Sequence, residues 1–360
     1  MKRYYFIVGE ASGDLHAANL IKELSRLDAY ATFQGFGGER MQKEGLQLTK
    51  HYQEMAFMGF WEVLMNLFTI RKNFKQAKKE LLEFKPDVLV LVDYPGFNMR
   101  IATFAKKYKI KVVYYITPQV WAWKESRVKK LNRYVDLLLP ILPFERSFFA
   151  KHGIDVNYVG HPLLDAFKDL DSRKIESEKP IIAILPGSRK QEIATSLPIM
   201  MEVAKSFENY QFIIAGAPSI SQDFYRQITK DSYMPVLSNQ THALLKECKA
   251  AIVTSGTATL EAAILKVPQV VCYKTSSISY FLAKLVVKVK FIALVNLICD
   301  KEVVKELIQD DFNADNLVNE LNRILNKKNK TQILSDYESM ISLLGNEGAS
   351  QRAAQAINSI

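Results

Sequence analysis

Cysteine is scarce in this sequence, and the three that it contains lie far apart. Cys248, Cys272 and Cys299 form no CxxC pair, which argues against a zinc site or a disulfide framework and is typical of a reducing compartment. The five histidines show no metal-ligand spacing either. We therefore expect no bound metal and no cofactor.

Uninterrupted hydrophobic runs are also missing. No stretch of about 18 residues is wholly apolar, so we expect no membrane span, and the strand-like start without a signal segment predicts a cytoplasmic protein. Two segments nevertheless combine apolar residues with lysines: MAFMGFWEVLMNLFTI (residues 55–70), which runs into a basic stretch, and YFLAKLVVKVKFIALVNLI (residues 280–298). Each is either a surface that contacts an anionic membrane or a buried helix with a solvated basic extension.

Positive charge is in excess. A net charge of +10 indicates an anionic partner: nucleic acid, a membrane surface or a phosphorylated substrate. The length of 360 residues favours two domains over one.

Short runs rich in Val and Ile alternate with helix-length segments, which predicts an α/β fold with parallel sheets. The charged segment at 165–179 has the composition of a linker, so we expect an N-terminal domain at 1–165, a second domain at 180–330 and C-terminal helices at 331–360. Ligands should bind at the carboxyl ends of the strands, in an interdomain cleft. The predicted strands are residues 3–8, 32–36, 88–92, 111–116, 137–139, 157–159, 181–185, 211–215, 251–253 and 269–272.

Two turns in the second half contain groups suited to phosphate. In IIAILPGSRKQE, a Pro-Gly turn leads through Gly187, Ser188 and Arg189 into a helix, where backbone N–H groups and a guanidinium can bind an anion. In AAIVTSGTATLEAAI, a second turn of small residues leads into another helix. Both turns end strands of one predicted sheet, which favours a shared diphosphate pocket.

The second turn consists of Ser255, Gly256 and Thr257. We expect Thr257 or Thr259 to cap the following helix, and Glu261 on that helix to accept from ribose hydroxyls. The alternative for this turn is an ordinary capped helix without a ligand.

An acid ends a buried strand in the first half. Asp93 follows the strand in PDVLVLVDYPGFN, and it could act as a general base if burial raises its pKa. The alternative is a turn-forming aspartate bonded to neighbouring backbone. Downstream, VVYYITPQVWAWKESRVKKL combines aromatic with basic residues, which suits either nucleobases or a sugar-lipid phosphate. VGHPLLD places His161 at the end of the last predicted strand of this domain.

These motifs, taken in order, resemble the lipid-A-disaccharide synthase family over essentially the whole chain. The matching stretches are GEASGD (9–14), FMGFWEVL (57–64), VDYPGFN (92–98), PQVWAWKESRVKK (118–130), VGHPL (159–163), LPGSRKQEI (185–193), TSGTATLE (254–261) and LVNLI (294–298). The resemblance implies two Rossmann-like domains of a B-type glycosyltransferase, inverting and independent of metal. It also implies C-terminal helices that pack back on the first domain or are exchanged in a homodimer.

The family transfers 2,3-diacylglucosamine from UDP to the 6-hydroxyl of 2,3-diacylglucosamine 1-phosphate, at the inner face of the cytoplasmic membrane. Carried over by position, the implied UDP-binding residues are Arg189, Ser255, Gly256, Thr259, Glu261 and Asn296. The implied catalytic residues are Asp93 as base and Glu10, Ser12 and Asp14 in the essential N-terminal loop. The expected membrane-facing and acceptor-docking residues are Phe57, Met58, Phe60, Trp61 and Leu64.

Two details of the match bear on mechanism. Family members commonly carry a second acid in D-x-P-D-F-N, whereas this chain has Gly96 there, which favours Asp93 as the base. The glycines Gly9 and Gly13 do not meet the dinucleotide or P-loop spacing. We therefore expect the GEASGD turn to orient substrates, unless Ser12 or Asp14 merely caps a helix from His16 onward.

Two other classes remain open at this point. A UDP-N-acetylglucosamine 2-epimerase has the same two-domain shell and a UDP pocket, but it has no need of an apolar segment beside lysines. A non-enzymatic binder of RNA or anionic lipid would explain the charge and the aromatic residues. It would not explain two phosphate-type turns together with an acid, so we expect no nucleic-acid partner.

Overall fold

The computed structural model describes residues 1–55, 67–167, 174–230 and 234–360. The chain divides into two compact units, a first unit of Met1–Lys168 with Leu344–Ile360 and a second unit of Asp169–Leu343. Within the described ranges, no helix is both long enough and apolar enough to cross a membrane.

The described part of the first unit is built on a parallel sheet of six strands. The strands are β1 (Arg3–Val8), β2 (Thr32–Gly37), β3 (Leu46–His51), β4 (Val88–Val92), β5 (Lys111–Tyr115) and β6 (Leu137–Leu139). Their spatial order is β3-β2-β1-β4-β5-β6, so the chain reverses direction across the sheet between β1 and β4. The carboxyl ends of these two strands are therefore neighbours, which is where ligands bind in such sheets.

Helices cover both faces of this sheet because its central strands are apolar on both faces. The helices are α1 (Ala11–Leu27), α2 (Glu39–Lys43), α3 (Leu67–Phe84), α4 (Pro95–Lys107), α5 (Val120–Trp123), α6 (Val128–Tyr134), α7 (Pro143–Lys151), α8 (Leu163–Ala166) and the C-terminal α17 (Ala349–Asn358). Alternate residues of β1 and β4 pack into opposite cores, with Ile7 and Leu91 in one and Phe6 and Val90 in the other. Every residue of β4 is buried.

The last helix of the chain lies with the first unit. α17 packs against α1, and the Asp165 carboxylate accepts hydrogen bonds from the backbone N–H groups of Gly348 (2.5 Å) and Ser350 (2.7 Å) at its start. The Arg352 side chain donates through Nε to the Val159 carbonyl at 2.8 Å. Polar contacts as well as apolar packing therefore fix the C-terminal segment.

The second unit repeats the architecture. Its strands are β7 (Ile181–Leu185), β8 (Gln211–Gly216), β9 (Val236–Ser238), β10 (Cys248–Thr254), β11 (Gln269–Tyr273) and β12 (Glu306–Ile308). Their order is β12-β11-β10-β7-β8-β9, all parallel, so β7 and β10 are neighbours. The helices are α9 (Lys190–Glu202), α10 (Gln222–Thr229), α11 (Thr241–Glu247), α12 (Thr257–Ile264), α13 (Ser277–Val286), α14 (Leu294–Cys299), α15 (Ala314–Leu325) and α16 (Lys327–Leu344).

The α/β class and most strands are confirmed, but the predicted strand at 157–159 is wrong. Burial alternates in the residues just before it, 154–157, but the segment bonds to β6 through the Asn157 N–H, which donates to the Leu138 carbonyl at 3.3 Å, and the Val159 carbonyl accepts from the Arg352 side chain instead of from a strand. Three strands, β3, β9 and β12, were not predicted from the sequence, and each lies at the edge of its sheet. They are short or only partly buried, so the hydrophobic pattern that marks β1 and β4 is weak in them.

Candidate active site and nucleotide site

The carboxyl end of β4 holds its backbone in an unusual conformation. Asp93 and Tyr94 follow the strand with φ of 43° and 49°, in the left-handed region that costs a side-chain-bearing residue about 1–3 kcal/mol. Three contacts fix Asp93 there. Its N–H donates to the Ile116 carbonyl at 3.2 Å, and its carbonyl accepts from Asn98 Nδ2 at 2.7 Å and from the Tyr114 hydroxyl at 2.6 Å.

The conformation places the Asp93 carboxyl in a poorly solvated position. The pKa of Asp93 is raised from its ordinary value to about 7, chiefly by burial and in part by the negative charge of Glu10, while a hydrogen bond from the Tyr94 N–H opposes both. A carboxylate with such a pKa takes up a proton near neutral pH, as a general base must. Burial therefore raises the pKa of Asp93, which is the condition under which the sequence proposes it as a base, and that role stays a prediction.

The GEASGD stretch adjoins this strand end. Helix α1 begins at Ala11, with Glu10 as its N-cap residue, so Ser12 and Asp14 belong to the first turn of the helix. The predicted helix start at His16 is therefore wrong, because the helix incorporates the small residues that resemble a loop in sequence. Glu10 is half-buried and Ser12 is exposed at this end of the helix.

Asp14 has a structural contact that the sequence did not indicate. Its buried carboxylate accepts from the backbone N–H groups of Arg40 and Met41, both at 3.2 Å, and so holds the start of α2. Burial raises the pKa of Asp14, and the N–H donors oppose that effect. The alternative, in which Asp14 caps a helix from His16 onward, is wrong: Asp14 lies inside α1, and its carboxylate binds N–H groups at the start of α2.

Two glycines in these loops differ in the space that is available for a side chain. A Cβ on Gly9 would lie 2.5 Å from the Tyr94 ring, so the close packing of the GEASGD and VDYPGFN loops needs a glycine at this position. A Cβ on Gly96 would meet nothing within 4 Å. Gly96 therefore marks a position in the first turn of α4 where the second acid of the family pattern would fit sterically.

The aromatic and basic loop after β5 is fixed by a buried acid. Glu145 accepts from the Thr117 hydroxyl at 2.9 Å, from Trp121 Nε1 at 3.2 Å and from the N–H of Leu142 at 2.9 Å. Burial raises its pKa to about 7. Beyond this anchor, the Arg127 guanidinium lies over the exposed Trp123 ring, 4.9 Å from its centre.

His161 does not lie at the end of a strand, where the sequence predicted it. It is buried, its Nδ1 accepts from the Leu163 N–H at 3.2 Å, and burial together with the nearby His16 lowers its pKa to about 3. No strand precedes it, and it is a neutral core residue rather than one at a strand end.

In the second unit, the PGSR turn leads into α9 as predicted. Gly187 has a φ of 116°, and a Cβ there would lie 2.7 Å from Glu192 Oε2, so the turn needs a glycine. Ser188 is exposed, and its N–H donates to Glu192 Oε2 at 3.2 Å. Arg189 is the N-cap residue of α9, and its Nη1 donates to Glu192 Oε1 at 2.7 Å.

The SGT turn follows β10, next to the PGSR turn in the sheet. Gly256, not a threonine, is the N-cap residue of α12. The buried Thr259 hydroxyl donates back to the Gly256 carbonyl at 2.8 Å. The threonine cap prediction is wrong, because Thr257 is already the first helical residue. Glu261 faces His242 Nε2 at 2.9 Å.

A polar network that sequence reasoning missed joins the SGT turn to LVNLI. The Ser255 hydroxyl donates to the Ile292 carbonyl at 3.2 Å. Glu306, the first residue of β12, accepts from the N–H groups of Ile292 and Ala293 and from Asn296 Nδ2 at 2.8 Å. Glu306 lies in KEVVKELIQ, which has no recognisable motif.

Asn296 itself is buried, and its side chain is fully engaged inside this network. Its Oδ1 accepts from the N–H groups of Val303 (2.8 Å) and Val304 (3.0 Å), while its Nδ2 donates to the Val304 carbonyl as well as to Glu306. In this conformation Asn296 therefore positions the backbone beside Ser255.

The expected membrane-facing residues Phe57, Met58, Phe60, Trp61 and Leu64 lie outside the described residues. At the two ends of their segment, Met55 is buried, whereas the side chain of Phe68 is 85% exposed.

Comparison with known proteins gives a consistent result. A family model described as lipid-A-disaccharide synthetase matches residues 4–360. The lipid-A-disaccharide synthase of Trichlorobacter lovleyi is 36% identical over 100% of this chain and 97% of that protein. The lipid-A-disaccharide synthase of Coxiella burnetii is 34% identical over 100% of this chain and 98% of that protein.

Similar solved structures include a UDP-N-acetylglucosamine 2-epimerase from Neisseria meningitidis bound to UDP-GlcNAc, with a TM-score of 0.70 and 13% identity over 99% of this chain and 100% of that one. Another is the calicheamicin glycosyltransferase CalG4, with a TM-score of 0.62 and 15% identity over 100% of this chain and 98% of that one. At these identities the likeness establishes the fold, two Rossmann-like units of the B-type glycosyltransferase kind.

Proposed function

The chain belongs to the lipid-A-disaccharide synthase family, and from that premise we propose how its two units divide the work of a glycosyl transfer. The first unit holds the diacylglucosamine 1-phosphate acceptor and supplies the base. The second unit holds the UDP of the diacylglucosamine donor. The observation that carries the proposal is the Asp93 carboxyl, held at the end of β4 with a pKa of about 7.

The Asp93 carboxylate takes the proton from the 6-hydroxyl of the acceptor. The hydroxyl oxygen then bonds to the anomeric carbon of the donor, and the bond from that carbon to the UDP oxygen breaks with its electron pair. Positive charge on the sugar ring in such a transition state resembles that in glycoside hydrolysis. Glu10, beside Asp93, keeps the base from ionising too readily and so matches its proton affinity to neutral pH.

Negative charge grows on the departing UDP, and the second unit stabilises it. The Arg189 guanidinium and the N–H groups at the starts of α9 and α12 are suited to the diphosphate. The Ser188 N–H and the Arg189 guanidinium both donate to the Glu192 carboxylate. These two donors therefore already bind an anionic group, and we propose that a phosphate of UDP takes the place of that carboxylate. Glu261 is suited to the ribose hydroxyls, and Asn296 supports Ser255 through the backbone.

The acyl chains of both substrates require contact with lipid. We assign this to the segment containing Phe57, Phe60 and Trp61, supported by the exposed Phe68 that follows it and by the lysines of α3. The triple substitution Phe57→Ser/Phe60→Ser/Trp61→Ser should release the protein from the membrane fraction. Unchanged sedimentation with membranes would contradict this assignment.

The reaction is tested by mass spectrometry after mixing the protein with UDP-diacylglucosamine and diacylglucosamine 1-phosphate in detergent. The expected product is the disaccharide 1-phosphate, with UDP released in equal amount. Incubation with UDP-N-acetylglucosamine alone should leave it unchanged. Epimerised sugar in that second reaction, without disaccharide in the first, would replace the proposal with an epimerase, which needs no acceptor.

A further inference from the structure

Helix α13 of the second unit presents large apolar side chains to solvent. Phe281 is 63% exposed and Leu285 is 68% exposed, and Val286 and Val287 continue the surface. Phe281, Lys284 and Leu285 are spaced i, i+3 and i+4, so they lie on one side of the helix. We call the surface formed by Phe281, Lys284, Leu285, Val286 and Val287 the α13 patch.

The chain segment that carries the α13 patch contains charges of one sign. From Tyr273 to Cys299 the sequence contains Lys274, Lys284, Lys288 and Lys290 but neither aspartate nor glutamate. Lys284 and Lys288 are exposed, and Lys290 is 4.0 Å from Asp300, with both side chains largely in solvent. Exposed apolar groups interleaved with lysines match the headgroup region of an anionic bilayer.

The patch is displayed on a fixed base. Before α13, the backbone of Thr275 exchanges two hydrogen bonds with the side chain of Gln309, at 2.8 and 3.1 Å. After it, Glu306 holds the N–H groups of Ile292 and Ala293. Both anchoring side chains come from β12 or the residue after it, so the two ends of the segment are held by one strand of the sheet.

We propose that the α13 patch is a lipid-contacting surface of the second unit, which binds an anionic phospholipid bilayer through Phe281 and Leu285 in the acyl boundary and through lysines at the headgroups. This surface belongs to a different stretch of the chain from the segment at residues 55–70, and its assignment does not depend on the proposed reaction. A second copy of the chain is a poorer occupant, because pairing two such faces would bring lysines against lysines.

The position of the patch has a consequence for the donor. Ile292, at the anchored end of the segment, accepts from the Ser255 hydroxyl of the SGT turn. One hydrogen bond therefore links the SGT turn to the chain five residues beyond the patch, within the same unit. On the proposed function, a donor with its UDP at the SGT turn would be held by the unit that carries this surface.

The first test measures binding to vesicles in which a quarter of the lipid is phosphatidylglycerol and the rest is phosphatidylcholine. Lys284→Gln/Lys288→Gln should weaken binding by about 30-fold, and the control Lys327→Gln/Lys328→Gln, which removes the same charge from an exposed helix start, by much less. Phe281→Ser/Leu285→Ser should weaken it by about tenfold or more, compared with Leu343→Ser as the exposed apolar control. Equal effects of patch and control variants would overturn the proposal.

A second measurement locates the contact. In Phe281→Trp, vesicles containing brominated lipid should quench the added tryptophan fluorescence, whereas in Leu343→Trp they should not. Vesicle binding without quenching at position 281 would assign the contact to another surface and overturn the proposal. So would light scattering that shows a dimer which Phe281→Ser/Leu285→Ser dissociates, because the patch would then be an interface between copies.

Turnover in detergent micelles separates this proposal from the proposed function. The patch variants should turn over at the wild-type rate there, since no reacting group is altered. Absence of disaccharide synthesis by the wild-type protein, with vesicle binding by the patch intact, would refute the reaction and leave the surface assignment standing.

Discussion

The two units have the same architecture, but the strand end of the first carries an acid and that of the second carries hydrogen-bond donors and an arginine. At the carboxyl end of β4 in the first unit, Asp93 and Tyr94 adopt left-handed backbone conformations, and the acid there has a pKa raised to about 7. At the end of β7 in the second unit, Gly187 adopts the positive φ, and the turn presents N–H groups and Arg189. Each turn lies next to a second one on the adjacent strand.

The difference matches the role that we propose for each turn. A base needs one carboxyl held in a fixed, poorly solvated position, and here backbone strain is maintained by Asn98 and Tyr114. Binding a diphosphate needs several donors that approach an anion closely, and a glycine turn at a helix start provides them without strain. Substitutions in the first unit should therefore affect turnover, and those in the second should affect UDP binding.

The largest effect is expected at Asp93. Asp93→Asn removes the group that accepts the proton, and it should lower kcat by about 10²- to 10⁴-fold. The Kd for UDP, measured by calorimetry, should stay within about twofold of wild type, because no nucleotide group is touched. Near-normal turnover would remove Asp93 from the role of base, and a large loss of UDP affinity would remove the distinction between the units.

Stability provides the control for that variant. The folded-state pKa of Asp93 is raised, so the folded protein holds the proton more tightly than the unfolded chain, and the stability that this contributes is lost as pH rises from about 4 through about 7. Asparagine carries no charge at any pH. Asp93→Asn should therefore melt at a higher temperature than wild type at about pH 8, with a smaller gain at about pH 5. A lower melting temperature at both would indicate misfolding as the cause of lost activity.

The next largest effect is expected at Arg189. Arg189→Ala removes a charge-assisted donor and leaves the negative charge of Glu192 without its guanidinium partner, so the Kd for UDP should rise by about 10- to 100-fold. The matched control is Arg226→Ala on α10, which also removes an arginine from an exposed i,i+3 pair, with Asp223. Calorimetry that finds the two variants equally affected would contradict the assignment of the diphosphate to the PGSR turn.

Sequence reasoning predicted the positions of both strand ends because the strands that lead to them are uniformly apolar. The runs YYFIV, VLVLV and IIAIL give β1, β4 and β7 with the bounds that the structure has. PGSR and TSGT end strands of one sheet, as expected, and the structure adds that these strands, β7 and β10, are neighbours. Hydrophobic pattern is sufficient where a strand is buried on both faces.

The supporting contacts could not be predicted, because they depend on strand neighbours distant in sequence. Tyr114 reaches the Asp93 carbonyl from the adjacent strand β5, and Glu306 reaches Ile292 from β12. Asp14 illustrates a second limit: its residue type suits a catalytic loop, but its carboxylate is engaged by the backbone of α2. Residue type and position at a strand end do not distinguish a reacting acid from a capping one.

Glu10 tests how the first unit sets the pKa of its base. Glu10→Gln removes the second cause of the raised pKa, so the acid limb of the kcat/KM–pH profile should move to lower pH, with UDP affinity unchanged. The movement should be modest, because burial is the larger cause. Glu44→Gln, on an exposed site at the end of α2, should leave the limb in place. An unmoved limb in Glu10→Gln would mean that the limb reports another group.

The smallest effect is expected at Gly96, where the chain departs from the family pattern. A side chain fits there without contact, and an acid in the first turn of α4 interacts favourably with the helix dipole, so Gly96→Asp should stabilise the protein by about 1 kcal/mol. Gly96→Asn shares the shape without the charge. If Asp93 alone is the base, both variants should keep kcat within about twofold, and only the aspartate should move the acid limb to higher pH, opposite to Glu10→Gln. A several-fold rise of kcat in Gly96→Asp alone would show instead that a second acid contributes to the transfer.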